Sequence, residues 1–237
     1  MRIMILPTIF LLIILTLSYY GSLAINGSIQ AIVANEFGDP TAKDLGYATP
    51  NPLMYFDLIN FLLFVFLGIY VCPMLPINPF NITHPLRYLK IFIIYFLEIV
   101  SSIFTAFISL LACLVYFGKI KTYGLMDSFN IGEIHGLFGS NLKDFDFSSF
   151  SNVIGLLLIA TMYINIIMAV TILIFNLFKY ALLVGVEKNY GYIRYYNYLV
   201  FLAPFVTLLL TFGFWYRHIL KLLFITAIFI ARLIGVN

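Results

Sequence analysis

The chain has 237 residues, of which 63% are hydrophobic and 10% charged, with a mean hydropathy of +1.05; an ordinary soluble domain carries roughly a quarter charged residues. Its formal charge of +3 is scattered, without the clustered Lys/Arg face of a nucleic-acid binder. This composition excludes nucleic acid as a main partner and leaves no stretch for a sizeable water-soluble domain, so the expected fold class is all-α. We expect a polytopic transmembrane helix bundle of about six spans, because each span needs about 20 mostly apolar residues.

The first apolar run, Ile3 to Tyr20, follows Arg2. It reads either as a secretory signal peptide, with Ser22-Leu23-Ala24 as a small-residue cleavage site, or as the first transmembrane helix, which we prefer. Residues 21–52 collect Gly, Pro, Asn and the acids Glu36, Asp39 and Asp44, and read as a long aqueous loop ending in turns. A second run, Leu53 to Leu75, is stopped by Pro73, Pro76 and Pro79, since proline cannot donate to a helix ladder. Asp57 and Asn60 fall near its outer end. A short polar connector carries His84, Arg87 and Lys90.

The third run, Tyr88 to Phe117, is long enough that it would have to tilt or project from the bilayer. Residues 118–150 form the second long loop, and its SSFSN stretch offers N-caps for the next helix. The fourth run extends from Asn152 to Leu183, followed by a connector with Glu187, Lys188 and Arg194. Tyr198 to Tyr216 and Leu222 to Val236, separated by Arg217, His218 and Lys221, form either a tight hairpin of two short spans or one span and an interfacial helix; the hairpin is favoured. Pro204 marks a kink in the first of them. The whole chain thus reads as one transmembrane domain, 1–237.

Basic residues are nearly balanced between the two sides. Short basic inner connectors against long acidic outer loops favour both termini inside, N-in and C-in. Cys72 and Cys113 both lie in apolar runs, where cysteine behaves as a small hydrophobe. His84, His135 and His218 are far apart in different connectors and lack metal-ligand spacing, so no catalytic residue, metal or cofactor is expected. Asn26-Gly27-Ser28 and Asn81-Ile82-Thr83 are formal glycosylation sequons, only the first on the outer side of this scheme.

Glu98, in YFLEIVSS, is the ionisable residue that most needs explaining, since a carboxyl group at membrane depth costs at least a few kcal/mol unless it faces protein or water. It either lines a polar groove or is hydrogen-bonded to a neighbouring helix. In the fourth run Asn165, Thr171 and Asn176 are polar; Asn165 and Asn176, about three helical turns apart, share a face, a pattern suited to a helix contact.

Several local patterns bear on function. YATPNPLMYFDLINFLLFVFLGIYVCPML, HPLRYLK and IRYYNYLVFLAPFVTLLLT resemble, in order, the Ser/Thr-Pro entry and second helix, the inner connector, and the fifth helix of the TatC family, the multispanning subunit of the twin-arginine protein translocase. The family's N-terminal His-Leu-x-Glu-Leu-Arg motif and its fourth-helix Phe-Glu-x-Pro element are absent. The resemblance implies six helices with both termini inside, no bond chemistry, and inner connectors that receive a basic signal peptide while single-span partners assemble on the bundle. Matched positions put Arg87 and Tyr88 in that role, with Lys90 in the same connector; Glu98, Asn165 and Asn176 join them as candidates on polarity alone.

Two other functions fit the same residues. One is a non-catalytic membrane subunit of a large organellar respiratory or ATP synthase complex; the other is a small transporter or channel with Glu98 on its path. The expected partners are the lipid bilayer, other membrane subunits and signal peptides. Richness in Phe, Ile, Tyr and Asn suits an AT-rich genome and so the mitochondrial inner membrane, with a bacterial-type plasma membrane as the alternative.

Overall fold

A computed structural model of the chain describes residues 5–58, 61–62, 75–83, 85–128, 147–188 and 226–228. Among these residues the secondary structure is entirely helical. Helix α1 spans Ile5–Glu36, the short α2 Thr41–Asp44, a 3-10 turn Pro52–Tyr55, α3 Arg87–Ser128 and α4 Phe150–Lys188. Three stretches are long and apolar enough to cross a bilayer: Ile9–Glu36, Arg87–Met126 and Phe150–Ala181. They mark a membrane protein.

Helix α1 does not end at Tyr20, where the apolar run ends, but continues to Glu36. Nothing between these residues breaks a helix, and Pro7 lies in the first turn, where a missing N–H costs nothing. Ser18, Ser22, Asn26 and Gln30 recur at every fourth position, so they share one stripe. That stripe is buried, while Ile13, Leu17, Ile25, Ile29 and Ile32 face outward. The polarity is the reverse of a soluble helix, as expected where the surroundings are lipid and the protein interior is the only place to make hydrogen bonds.

The end of α1 is closed by a Schellman motif. Gly38 sits at φ 103°, its N–H donates to the Asn35 carbonyl and the Asp39 N–H to the Ala34 carbonyl. Glycine takes this left-handed conformation without steric cost.

Cross-helix contacts fix the directions of the three long helices. Asn26 meets Ser102 and Gln30 meets Ile94, so α1 and α3 are antiparallel. Ser18 meets Leu157 and Ser22 meets Asn165, so α1 and α4 are parallel. The main core runs along this bundle through Leu15, Tyr19 and Leu23 of α1, Ala106, Leu110 and Leu114 of α3, and Leu156, Ile159 and Met162 of α4. A smaller cluster of Ala34, Ile82, Ile91, Ile94, Tyr95 and Leu183 closes the end where α1 stops and α3 starts.

Helix α3 is not one rod. Gly118, at φ 70° and ψ 172°, interrupts it, and beyond that point the chain doubles back. The Thr122 hydroxyl lies 3.2 Å from the Cys113 carbonyl oxygen, whereas nine residues of straight helix would separate them by about 13 Å. The third apolar run, Tyr88 to Phe117, lies wholly before this break and is uninterrupted helix. Phe117 and Leu125, one on each side of the reversal, both pack on Gly155 of α4.

Two contacts bear on the alternation of sides expected from sequence. Asp39, expected in the outer loop, accepts hydrogen bonds from the Asn78 N–H (2.7 Å) and the Asn81 side chain (2.8 Å), in the segment expected on the inner side. Phe10 stacks on Phe147 at 5.8 Å, joining the start of α1 to the chain before α4. Asp39 and Asn78 thus lie at one end of the bundle and Phe10 and Phe147 at the other.

Most of the second run (59–60 and 63–74), the middle of the second loop (129–146) and the run 198–216 lie outside the described residues, as do Cys72 and the three histidines. In the last run only 226–228 are described; they are helical, and Ala227 is fully buried in the main core.

Candidate functional site: an interhelical polar node

The most concentrated polar chemistry in the described chain lies where α1, α3 and α4 meet. The Asn26 Nδ2 donates to Ser102 Oγ at 2.8 Å and to Asn165 Oδ1 at 3.0 Å. The Asn165 Nδ2 donates to Ser22 Oγ at 2.6 Å and to the Thr161 carbonyl at 2.8 Å. The Thr105 hydroxyl donates chiefly to the Ser101 carbonyl at 2.8 Å, and its oxygen also lies 3.5 Å from Asn26 Oδ1. Both amide protons of each asparagine are therefore used, and the Asn165 carbonyl oxygen accepts from Asn26.

The node extends in both directions. Ser22 donates to the Ser18 carbonyl, and the Thr161 and Ser18 hydroxyls lie 3.1 Å apart. Ser102 donates to the Glu98 carbonyl at 2.8 Å, linking the node to that residue. Toward the end near Asp39, Gln30 Nε2 donates to the Ile94 carbonyl at 3.0 Å and Asn176 Nδ2 to the Tyr95 carbonyl. Asn26 and Asn165 are completely inaccessible to solvent.

The residues singled out from sequence fall into two groups. Glu98, Asn165 and Asn176 lie along the helix interfaces. Glu98 is 7% exposed, which places it in the protein interior, and its backbone carbonyl accepts from Ser101 and Ser102. Asn165 faces α1, whereas Asn176 faces α3, so the two asparagines on one helix serve different neighbours.

Arg87, Tyr88 and Lys90 stand apart at the start of α3. The Arg87 guanidinium donates to the Pro79 carbonyl at 3.1 Å and lies over the Phe80 and Tyr88 rings at 5.7 and 5.9 Å. Tyr88 is 44% exposed, and the Lys90 N–H donates to the Leu86 carbonyl. Beyond the end of α1, the fully buried Asp39 carboxylate collects the N–H groups of Thr41 and Asn78, the Thr41 hydroxyl and the Asn81 amide. Among the described residues these donors are all neutral.

Sequence reasoning missed Ser18, Ser22, Asn26, Gln30, Ser102 and Asp39. The four-residue spacing along α1 was the available signal. Asn26 also stands in the first formal sequon, but its side chain is buried in the node and not open to a glycan. Among the described residues no group of three or more His, Cys, Asp or Glu side chains could hold a metal ion. No known protein family, curated protein or solved structure matches the chain.

Proposed function

We propose that the chain is a non-catalytic, membrane-embedded subunit of a larger assembly, of the kind found in organellar respiratory or ATP synthase complexes. The observation that carries this reading is the self-sufficiency of the Asn26–Asn165 node. Its amide protons bond to groups on the three helices, so the node works as a fastener and does not present donors to a passing solute. Such side-chain bonds between membrane helices each contribute about 0.6 to 2 kcal/mol. Helices with outward apolar stripes, such as Val100, Phe104 and Ile108 on α3, suit packing against further helices.

Extraction in a mild detergent followed by native electrophoresis tests this. The expected outcome is co-migration with a complex several times the mass of the chain. Migration as a small free species from gently solubilised native membranes would remove the reading.

A translocase-like role is the second reading, and the exposed Tyr88 beside Arg87 and Lys90 favours it. A photo-crosslinker at Tyr88 should then capture a basic signal peptide. Absence of any peptide adduct, with the chain intact in its membrane, would count against it.

A further inference from the structure

The reversal at Gly118 produces a surface that neither reading uses. Residues 119–128 form a second, shorter helix whose inner face carries Thr122 and Leu125, both buried. Its outer face is set by register: Ile120 is central, with Tyr123 close to it and Lys119 and Lys121 about 100° to either side. Ile120 is 90% exposed, the most exposed large hydrophobic residue among the described residues. Tyr116 precedes the turn at 68%, and Phe150, at the start of α4, is 78% exposed.

Water would disfavour such a cluster, and the interior of lipid would disfavour the two lysines. The headgroup layer accommodates both, since it takes amphipathic rings and basic side chains together. The Lys121 ammonium sits 4.9 Å from the Phe117 ring centroid, which holds it beside the turn. Between Glu98 and Asp127 the chain has no acid.

We infer that the Gly118 hairpin is an interfacial anchor that binds anionic phospholipid, with Lys119 and Lys121 on the phosphates and Ile120 and Tyr123 among the upper acyl chains. The anchor is independent of the assembly reading, because it depends on the bilayer boundary and not on a protein partner.

The full-length protein is reconstituted in nanodiscs of phosphatidylcholine with and without phosphatidylglycerol, and retained lipid is counted by native mass spectrometry. Wild type should retain phosphatidylglycerol preferentially, and K119Q/K121Q should lose that preference by roughly five-fold per lysine, the weight of one basic residue near an anionic surface. K119R/K121R should keep it. Equal retention of the two lipids by wild type, or an unchanged preference in K119Q/K121Q, overturns the inference.

A second measurement guards against misfolding. In a W215F background, Tyr123→Trp provides a single reporter for the hairpin, since the chain has one Trp. Quenching by lipids brominated near the headgroup is expected, and a reporter quenched only by aqueous iodide contradicts the anchor.

Discussion

The side-chain amides of Asn26 and Asn165 meet at 3.0 Å although the residues lie 139 positions apart in the chain. Removing either partner leaves the other without its bond in a site closed to water. Asn26→Leu and Asn165→Leu should each lower stability by about 1–3 kcal/mol, the cost of an orphaned buried polar group. The double variant should cost less than the sum. A thermal-unfolding cycle in detergent measures the coupling, and additivity within about 0.5 kcal/mol would show that the pair does not act as a unit.

Asp39 ties the end of α1 to the segment before α3. Asp39→Asn replaces one acceptor oxygen by a donor, which then opposes the Asn78 or Asn81 N–H groups. The expected result is loss of about 1–3 kcal/mol of local stability, read as faster proteolysis between residues 75 and 83. Asp39→Ala should behave similarly, whereas Asp44→Asn, on the exposed side of α2, should leave the cleavage rate unchanged.

Gly155 is the seat of the hairpin. A Cβ there would stand 2.6 Å from Leu125 Cδ1 and 3.1 Å from the Phe117 ring. Gly155→Leu should destabilise by about 1–3 kcal/mol through overpacking, and adding Leu125→Ala should recover part of the loss. No recovery in the double variant would mean that the two side chains do not share this space.

The sidedness of the bundle is open to direct labelling. Single cysteines at Lys43 and Asn81 should react with a membrane-impermeant maleimide from one side of a sealed vesicle, and one at Ser148 from the opposite side. Labelling of positions 43 and 81 from opposite faces would break the arrangement built on Asp39 and Asn78.

The sequence made α3 and α4 readable because their apolar runs are continuous: Tyr88 to Phe117 lies within α3, and Asn152 to Leu183 lies within α4. The second half of α1 was not readable the same way. Ser22, Asn26, Ser28 and Gln30 look like loop residues when only local hydropathy is weighed, yet three of them lie on the buried stripe that meets α3 and α4. Asn165 and Asn176 were legible as helix-contact residues, but not their partners, since nothing local to α4 encodes which neighbour each one meets. The end of the third run at Phe117 was readable and falls at the Gly118 break, but the helix at 119–128, read as part of a loop, was not, because its Lys119, Lys121 and Asp127 interrupt the apolar pattern.

The polar stripe of α1 has a consequence for biosynthesis. Its partners on other helices lie 64 to 143 residues further along the chain, so α1 leaves the ribosome long before they are made. At that moment Asn26 and Gln30 would have to enter hydrocarbon with their side-chain amides unmatched. The helix therefore has reason to linger at the insertion machinery until α4 arrives, and the three long helices would be released into lipid together, not one by one.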